Sequence, residues 1–179
     1  MLTVLHVGSG FERKGVAVLL RAVASAPVTS HLIVLGSDKR QLRYRKLAAK
    51  LGIAARVHFM GAQDPKPYYA AADVFVMASL YEPFANASME ALAMGLPVVT
   101  SSKSGAAEIL DNGNTGYVCD ARDVAGFAAA IQGLADDGKR SAMGIASRRL
   151  AERFSLAEMT RQLLQLYERL LSRPVSRDA

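Results

Sequence analysis

The sequence predicts a doubly wound α/β fold, in which a mostly parallel, six-stranded, Rossmann-like sheet carries helices on both faces. Short apolar runs that end in glycine or other turn residues alternate with segments whose apolar residues recur at helical spacing. Hydrophobic residues make up 51% of the 179 residues, which is enough for a sizeable core. Strand–helix alternation of this kind is typical of parallel sheets that are covered on both faces.

Six short apolar runs are predicted to be strands. The first is β-branched and closes on a Gly-Ser-Gly turn, and the second and third each end at a glycine, Gly36 and Gly61. Each of the last three runs contains valine and is bounded by turn residues. The predicted strands are residues 2–8, 31–35, 56–60, 74–77, 97–100 and 116–119.

Seven segments between and after these strands are predicted to be helices. Apolar side chains recur every three or four residues in the first two, and Gly52 is a natural stop for the second. Asn86 is predicted to cap the fourth, with Gly95 just past its end. Residues 1–172 then form one predicted domain, and residues 173–179 form a frayed tail. The predicted helices are residues 15–25, 39–51, 67–72, 86–94, 124–135, 139–153 and 157–171.

The strand order predicts where a ligand binds. Six strands that alternate with helices fit the doubly wound order 3-2-1-4-5-6. In such sheets, ligands bind beyond the carboxyl ends of the strands at the point where the winding reverses, which here lies between strands 1 and 4. The loops that follow these two strands, residues 8–14 and 78–86, are therefore the predicted site.

The first of these loops reads G-S-G-F-E-R-K. Gly8 and Gly10 allow a tight turn and a close approach of the backbone to a ligand. Arg13 and Lys14 stand at the start of a predicted helix, where the helix dipole disfavours cations unless an anion binds there. The loop therefore indicates a phosphate site, and the alternative is a surface basic pair beside an ordinary glycine turn.

The second loop leads into a pair of glutamates. Glu82 lies just after the fourth strand, and Glu90 lies about one turn along the following helix. Backbone amides near residues 85–88 open that helix and could hold a second phosphate. The Glu90 carboxylate could accept hydrogen bonds from ribose or sugar hydroxyls. The alternatives are that Glu82 complements the helix dipole and that Glu90 belongs to a solvated helix face.

Longer segments extend this pattern along the chain. Seven residues separate Glu82 from Glu90, and the sequence A-L-A-M-G-L-P-V-V-T follows. The chain also contains V-G-S-G-F-E-R-K-G, V-H-F-M-G, Y-Y-A-A-A-D-V-F-V-M-A-S-L-Y-E-P-F, S-G-A-A-E-I-L, N-T-G-Y-V-C-D and R-F-S-L. In this order they resemble the retaining family-4 glycosyltransferases of GT-B architecture over essentially the whole chain. Within that family the chain is most similar to the lipopolysaccharide core glucosyltransferases, which carry an Arg-Lys pair after the Gly-Ser turn.

The resemblance implies that the chain is the C-terminal, donor-binding half of a GT-B fold. It implies that Arg13, Lys14 and Glu82 are the catalytic residues, with the two cations on the donor diphosphate and Glu82 facing the donor sugar and its phosphate. It also implies that Glu90 holds the ribose hydroxyls. The remaining donor-binding residues that it implies lie in the glycine turn, before the loop near the base, and in the diphosphate cradle: Ser9, Gly10, Met60, Phe84, Ala85, Asn86 and Ala87.

The chain departs from the family pattern at two positions. Ser9 stands where many members have arginine, so that Arg13 would carry that positive charge alone. Ala85 stands where glycine is common, which preserves a small side chain but loses the freedom to adopt a positive φ.

The implied reaction transfers a hexose, glucose from UDP-glucose, to a glycan or lipopolysaccharide-type acceptor with retention of configuration. The cations and helix amides would neutralise the charge on the departing nucleoside diphosphate, so that neither a metal nor another cofactor is expected. Family members carry an N-terminal acceptor-binding domain, which we expect to be absent here because the sequence starts at the first strand of the donor domain. We therefore expect this chain alone to bind nucleotide sugar and to transfer little.

The net charge of +6 and the isoelectric point near 9.7 favour anionic partners. Besides nucleotide phosphates, we expect an anionic membrane or lipopolysaccharide surface as a partner, but no nucleic acid. Cys119 is the only cysteine, and the N-terminus lacks the pattern of a secretory signal. The expected compartment is the cytoplasm, with the protein peripheral at the inner membrane.

No metal site is expected from the spacing of potential ligands. Asp120 and Asp123 precede a predicted helix, which they are expected to cap. His6, His31 and His58 lie in or beside predicted strands and are expected to have structural roles.

Two other functions stay open at this point. The Gly-Ser-Gly turn and Asp38 after the second strand fit the start of a dinucleotide-binding oxidoreductase fingerprint, although Arg13 takes the place of its third glycine. The second alternative is a non-catalytic nucleotide-binding module that kept the fold and lost the chemistry. The lysine and both glutamates of the two loops speak against that alternative.

Overall fold

A computed structural model describes residues 1–172; the predicted tail, residues 173–179, lies outside the described residues. Six strands form one sheet in the order β3-β2-β1-β4-β5-β6, and every neighbouring pair is parallel, which confirms the predicted fold class and strand order. The strands are β1 (Leu2–Val7), β2 (Ser30–Leu35), β3 (Val57–Gly61), β4 (Val74–Met77), β5 (Val98–Ser101) and β6 (Gly116–Cys119). The helices are α1 (Val16–Ser25), α2 (Gln41–Lys50), α3 (Lys66–Ala71), α4 (Asn86–Ala93), α5 (Val124–Gly133), α6 (Asp137–Glu152) and α7 (Leu156–Leu171), with short 3-10 helices at Ala54–Arg56 and Gly105–Glu108.

The core lies in two layers, one on each face of the sheet. Because successive side chains of a strand point to opposite faces, Val4 packs in the layer beneath α1, α2 and α5, and Leu5 packs in the layer beneath α3, α4 and α6. Phe127 and Phe75 are fully buried in these two layers, respectively. Burial of each such side chain stabilises the fold by about 1.5–3 kcal/mol, so both faces of the sheet hold it together.

Predicted and observed helix starts agree to within two residues. Helix α6 begins two residues earlier than predicted, at Asp137, and α2 and α4 differ in start and in cap, respectively. Helix α2 begins at Gln41 rather than at residue 39, because the Asp38 carboxylate accepts the Arg40 amide (2.7 Å) and holds the preceding residues in a turn. Asn86 does not cap α4: the cap position is Ala85, which is extended (φ −90°, ψ 113°), and Asn86 is already helical. The start of α4 therefore has no side-chain cap.

Helix α7 forms as predicted but does not pack on the sheet. Its N-terminus is capped by the Ser155 hydroxyl, which accepts the Glu158 amide (3.2 Å). None of its residues is buried, and its large apolar side chains, such as Leu163 and Leu170, are 43–86% exposed. Within residues 1–172, no helix is both long enough and apolar enough to cross a membrane.

Candidate functional site

The loops after β1 and β4 meet where the winding of the sheet reverses, as predicted. The Leu80 amide donates to the Arg13 carbonyl (2.8 Å), which joins them. Gly15 has a φ of +68°, and a Cβ placed there would lie 1.8 Å from the Ala78 carbonyl oxygen, so only glycine fits. The predicted tight turn at Gly10 is present (φ +75°), but nothing lies within 4 Å of a Cβ there. Of these two glycines, Gly15 is therefore the one where the backbones approach closely.

The three predicted catalytic side chains form one cluster. The Lys14 ammonium and the Arg13 guanidinium (2.8 Å) both donate to the same oxygen of the Glu82 carboxylate. Arg13 also donates to the Tyr81 carbonyl (3.1 Å). Lys14 and Glu82 are each 8% exposed, whereas the side chain of Arg13 is 49% exposed. We call Arg13, Lys14 and Glu82 the cation cluster.

The charge of this cluster is fixed by its own contacts. Burial alone would raise the pKa of Glu82, but the hydrogen bonds from Lys14 and Arg13 outweigh it and lower that pKa below its ordinary range. The carboxylate is therefore ionised at neutral pH, and the cluster carries one net positive charge. Arg13 presents most of that charge to solvent, because Lys14 is buried behind it.

The start of α4 supplies unpaired backbone donors. The amides of Asn86 and Ala87 have no hydrogen-bond acceptor within residues 1–172, and Ala85 offers no side-chain cap. The first turn also contains no acidic residue. Such a terminus carries partial positive charge and is suited to an anion. Phe84, just before it, is 43% exposed at the same opening.

Glu90 lies on α4, away from the cation cluster. It is exposed, and its carboxylate accepts a hydrogen bond from the Tyr69 hydroxyl (2.9 Å). Tyr69, on α3, also contacts the Ala87 carbonyl (3.2 Å) and is buried. The sequence prediction had no role for Tyr69. The signal that could have found it is the Tyr-Tyr pair on a helix of six residues, because a tyrosine hydroxyl that enters the core needs a partner.

The glycine turn is tied both to Lys14, whose amide donates to the Gly10 carbonyl (3.1 Å), and to the neighbouring loop. The Ser9 hydroxyl accepts the Ser37 amide (3.0 Å), and the Asp38 carboxylate accepts the Phe11 amide (2.7 Å). These bonds fix the loop after β1 against the loop after β2. Asp38 is thus used to hold backbone amides, which leaves less of it for the ribose of a dinucleotide.

Met60 lies at the same edge of the sheet but apart from the other residues. It is 41% exposed near the end of β3, and β2 and β1 lie between it and β4. With strands about 4.8 Å apart, Met60 is roughly 14 Å from the β4 loop across the sheet. It would contact a ligand only if that ligand extends across the switch point, the position between β1 and β4 where the winding of the sheet reverses.

A cleft of about 430 Å³ opens beside Glu82, between the β4 loop and the segment that follows β5. The Glu82 amide donates to the Lys103 carbonyl (3.0 Å), and the Gly105 amide donates to the Glu82 carbonyl (2.9 Å). A Cβ at Gly105 would lie 1.9 Å from the Pro83 carbonyl oxygen, so the two segments are in tight contact. The sequence prediction assigned no site role to Lys103, whose exposed side chain lines this cleft.

A larger cleft of about 680 Å³ lies at the opposite end of the sheet. It is lined by residues before β4 and β5 and by one side of α6, where Arg140 pairs with Asp73 (3.3 Å). It contains none of the predicted site residues. In parallel α/β sheets ligands bind at the carboxyl ends, so its size does not make it the site.

The histidines and acidic residues occupy structural positions. His6 is fully buried, and its Nδ1 lies 3.1 Å from the Val76 carbonyl; burial lowers its pKa to about 4, so it is neutral. His31 and His58 stack on each other at 5.3 Å between ring centres. Asp123 caps α5 by accepting the Gly126 amide (2.9 Å), as predicted. Among residues 1–172, no three histidine, cysteine, aspartate or glutamate side chains are grouped to hold a metal ion.

Comparison with known families decides the class of protein. A family described as "Glycosyl transferases group 1" matches residues 2–137. The chain belongs to this glycosyltransferase family. That assignment confirms the resemblance found in the sequence, and it places the cation cluster and α4 within the matched segment.

One relative in sequence and two solved structures show what the chain is similar to. The lipopolysaccharide core biosynthesis glycosyltransferase LpsE of Rhizobium meliloti is 39% identical over 96% of this chain, which spans 50% of that protein. A sucrose-phosphate synthase from Thermosynechococcus elongatus superposes with a TM-score of 0.85 at 33% identity, over 96% of this chain and 46% of its own. HepE of Anabaena, in complex with UDP and glucose, has the same fold (TM-score 0.86, 24% identity, 93% of this chain and 48% of its own). The chain therefore matches one half of a GT-B fold.

Proposed function

We propose that this chain is the nucleotide-sugar-binding half of a retaining, metal-independent glycosyltransferase that transfers a hexose from a UDP-sugar to a glycan or lipopolysaccharide-type acceptor. The observation that carries the proposal is that the cation cluster and the uncapped start of α4 both belong to the joined loops after β1 and β4, where the winding of the sheet reverses. Both present positive charge at the edge of the sheet where ligands bind. A diphosphate is the ligand class that fits two such donors.

Arg13 and the amides of Asn86 and Ala87 are the groups proposed to contact the diphosphate. Arg13 is half exposed and keeps free guanidinium donors, and the two amides lack acceptors within the described chain. As the bond between the sugar and the diphosphate breaks, negative charge grows on the departing phosphate. Fixed donors that are already in place stabilise that charge without reorganisation, which lowers the barrier.

Lys14 and Glu82 are proposed to act together. Lys14 is held by Glu82, so a diphosphate oxygen would reach its ammonium from the solvent side while Glu82 keeps that ammonium oriented. Glu82 borders the cleft that is proposed to take the donor sugar, with Lys103 on its other side. Glu90 is proposed to accept hydrogen bonds from the ribose hydroxyls. The loop after Met60 would then lie near the base.

The identity of the donor rests on the relatives. UDP and glucose are the molecules bound to HepE, and UDP-glucose, with glucose as the hexose, is proposed here on that basis. Metal independence is part of the proposal because Arg13, Lys14 and the α4 amides supply the positive charge that the leaving group needs. Retention of configuration follows from the family resemblance, and NMR of the product anomer checks it.

The acceptor is proposed from LpsE, which is named for lipopolysaccharide core biosynthesis. Because this chain spans half of LpsE, we infer that the acceptor-binding half belongs to a longer protein or to a separate chain. The exposed basic residues Arg43, Lys46 and Lys50 lie on one side of α2, which suits a cytoplasmic protein that works at an anionic inner-membrane surface. Co-sedimentation with vesicles of phosphatidylglycerol, compared with phosphatidylcholine, checks this surface.

Calorimetric titration of the chain with UDP, GDP, ADP and NAD in the presence of EDTA tests the proposed function. We expect one nucleoside diphosphate to bind in preference to the others, and we expect Lys14→Ala and Glu90→Ala to weaken it. Binding of NAD alone would instead support the oxidoreductase alternative. Binding of a nucleoside diphosphate only after Mg²⁺ is added would contradict metal independence.

A further inference from the structure

Tyr69 lies in the core layer between α3 and the sheet. It is 2% exposed, and its ring lies 6.1 Å from the ring of Phe75, centre to centre. Its neighbour Tyr68 lies on the same helix, is partly buried, and makes no side-chain hydrogen bond within residues 1–172. A buried hydroxyl must be hydrogen-bonded to offset its loss of water, so the partners of Tyr69 show what it holds in place.

Both partners of this hydroxyl stand on α4. They are the Glu90 carboxylate (Oε2, 2.9 Å) and the Ala87 carbonyl (3.2 Å), which lie three residues apart on one face of the helix. A tyrosine hydroxyl has a single proton, and the shorter contact goes to the carboxylate. Within residues 1–172, the Glu90 carboxylate accepts no other hydrogen bond, so its Oε1 oxygen stays available to a ligand.

The Tyr69 hydroxyl is a donor throughout the ordinary pH range. Burial, together with the hydrogen bond to Glu90, raises the pKa of Tyr69 far above its usual value. The proton therefore stays on the phenol, and the carboxylate stays the acceptor. Glu90 meets a ligand with one oxygen already occupied and the other free to accept.

We propose that Tyr69 is a positioning residue, which fixes the exposed Glu90 carboxylate in the orientation that accepts the ribose hydroxyls of the nucleotide. The proposal rests on the ribose-binding role of Glu90 under the proposed function. An exposed glutamate otherwise samples several rotamers, and each ordering step on binding weakens the affinity. With one oxygen held from the core, this ordering is complete before the nucleotide arrives. Tyr69 thereby sets the preference for ribonucleotides over nucleotides that lack these hydroxyls.

The test compares two nucleotides on each variant of the chain. Calorimetry measures the dissociation constants of UDP and of 2′,3′-dideoxy-UDP. The constant for 2′,3′-dideoxy-UDP divided by the constant for UDP is the ratio that reports the contribution of the ribose hydroxyls. Because both ligands are measured on the same sample, the ratio does not depend on the fraction of folded protein. Tyr69→Phe keeps the buried ring and removes only the hydroxyl, and Tyr68→Phe is the matched control. Glu90→Ala and the double variant Tyr69→Phe/Glu90→Ala complete the cycle.

We expect Tyr69→Phe to weaken the binding of UDP by about 3- to 10-fold. The binding of 2′,3′-dideoxy-UDP should not change, so the ratio falls. Tyr68→Phe leaves both constants unchanged. Glu90→Ala lowers the ratio to about one, and adding Tyr69→Phe to it produces no further loss. This pattern assigns the effect of the hydroxyl to Glu90.

Three results overturn the proposal, and they can be told apart. If Tyr69→Phe weakens both nucleotides equally, its role is only structural. If both dissociation constants are unchanged in Tyr69→Phe but the ratio falls to one in Glu90→Ala, Glu90 binds ribose without help from Tyr69 and the proposed function stands. If the wild-type ratio is already one and Glu90→Ala has no effect, the ribose-binding role of Glu90 fails and the positioning role of Tyr69 fails with it.

Discussion

Lys14 and Glu82, in the loops after β1 and β4, are each 8% exposed and share an ion-pair cluster with Arg13, whereas Glu90, on α4, is exposed and is held by Tyr69. The first group is built into the contact between two loops, and its charges compensate one another inside the protein. The second stands on the surface of a helix. Changes in the cation cluster should therefore affect folding and binding together, while changes at Glu90 should affect mainly binding.

The largest expected effect comes from the backbone that supports the cation cluster. Gly15→Ala would place a Cβ 1.8 Å from the Ala78 carbonyl oxygen and force an alanine to a φ of +68°. We expect it to lower the free energy of unfolding by at least about 3 kcal/mol, measured by urea denaturation. Gly10→Ala is the matched control, because its φ of +75° is similar and its surroundings are open. It should cost about 1 kcal/mol; equal losses in the two variants would contradict the tight loop contact.

Lys14→Ala should have the next largest effect, and it should change both stability and nucleotide binding. It removes one of the two partners of the buried Glu82 carboxylate, which should cost about 1–3 kcal/mol of unfolding free energy. It also removes a cation from the proposed diphosphate site, which should weaken the binding of the nucleoside diphosphate by about 10- to 100-fold. Denaturation and calorimetry on the same sample measure both. Lys46→Ala, an exposed lysine on α2, is the control and should change neither.

Glu82→Gln should make the stability difference depend on pH. Because Lys14 and Arg13 lower the pKa of Glu82 below its ordinary 4.5, the ionised carboxylate stabilises the fold fully above roughly pH 5. This contribution is lost as the pH falls below 4.5 through the lowered pKa of the folded state. The free energy of unfolding of wild type should exceed that of the variant by about 1–2 kcal/mol at pH 7. The two free energies should converge toward pH 3. A constant difference across this range would show that the carboxylate does not titrate as the ion pair requires.

The smallest effect on stability is expected at Glu90. Glu90→Ala should lower the free energy of unfolding by about 1 kcal/mol or less, since the side chain is exposed and the buried Tyr69 hydroxyl keeps the Ala87 carbonyl (3.2 Å) as an acceptor. It should still weaken the binding of the nucleotide measurably. Thermal and urea unfolding measure the effect on stability, and calorimetry measures the effect on nucleotide binding. A loss of stability as large as that of Lys14→Ala would remove the contrast between the two sides of the site.

The fold was predictable because it follows from patterns local to the chain. Short apolar runs alternate with helical periodicity, and only a few topologies join such elements, so the sequence was enough for the strand order and the switch point. The start of α4 at Asn86 was predicted correctly, but its cap was not: Asn86 is already helical and Ala85 is the extended cap residue, a difference of one position that sequence patterns do not resolve. The family resemblance was likewise confirmed by the match to residues 2–137.

The site was predictable as a place and less so as a set of contacts. The sequence put Lys14 and Glu82 in adjacent loops but assigned both to the ligand. Their mutual ion pair joins residues 68 positions apart and depends on side-chain rotamers that the sequence does not reveal. Tyr69 was missed for the same reason: its burial fits an ordinary core residue, and only the position of its hydroxyl against Glu90 shows more.

Helix α7 gives this chain a region whose hydrogen exchange should be decoupled from the rest. With no buried side chain, its backbone bonds are held by the Ser155 cap and by local pairs such as Glu158–Arg161. Most of the stability of a helix in a protein comes from packing of its apolar face, so the amides of a helix without buried side chains should open with little free energy. The amides of α1, which are fixed by buried side chains on the sheet, should exchange only on global unfolding. Destabilising substitutions in the core should therefore speed exchange in α1 and leave α7 unchanged.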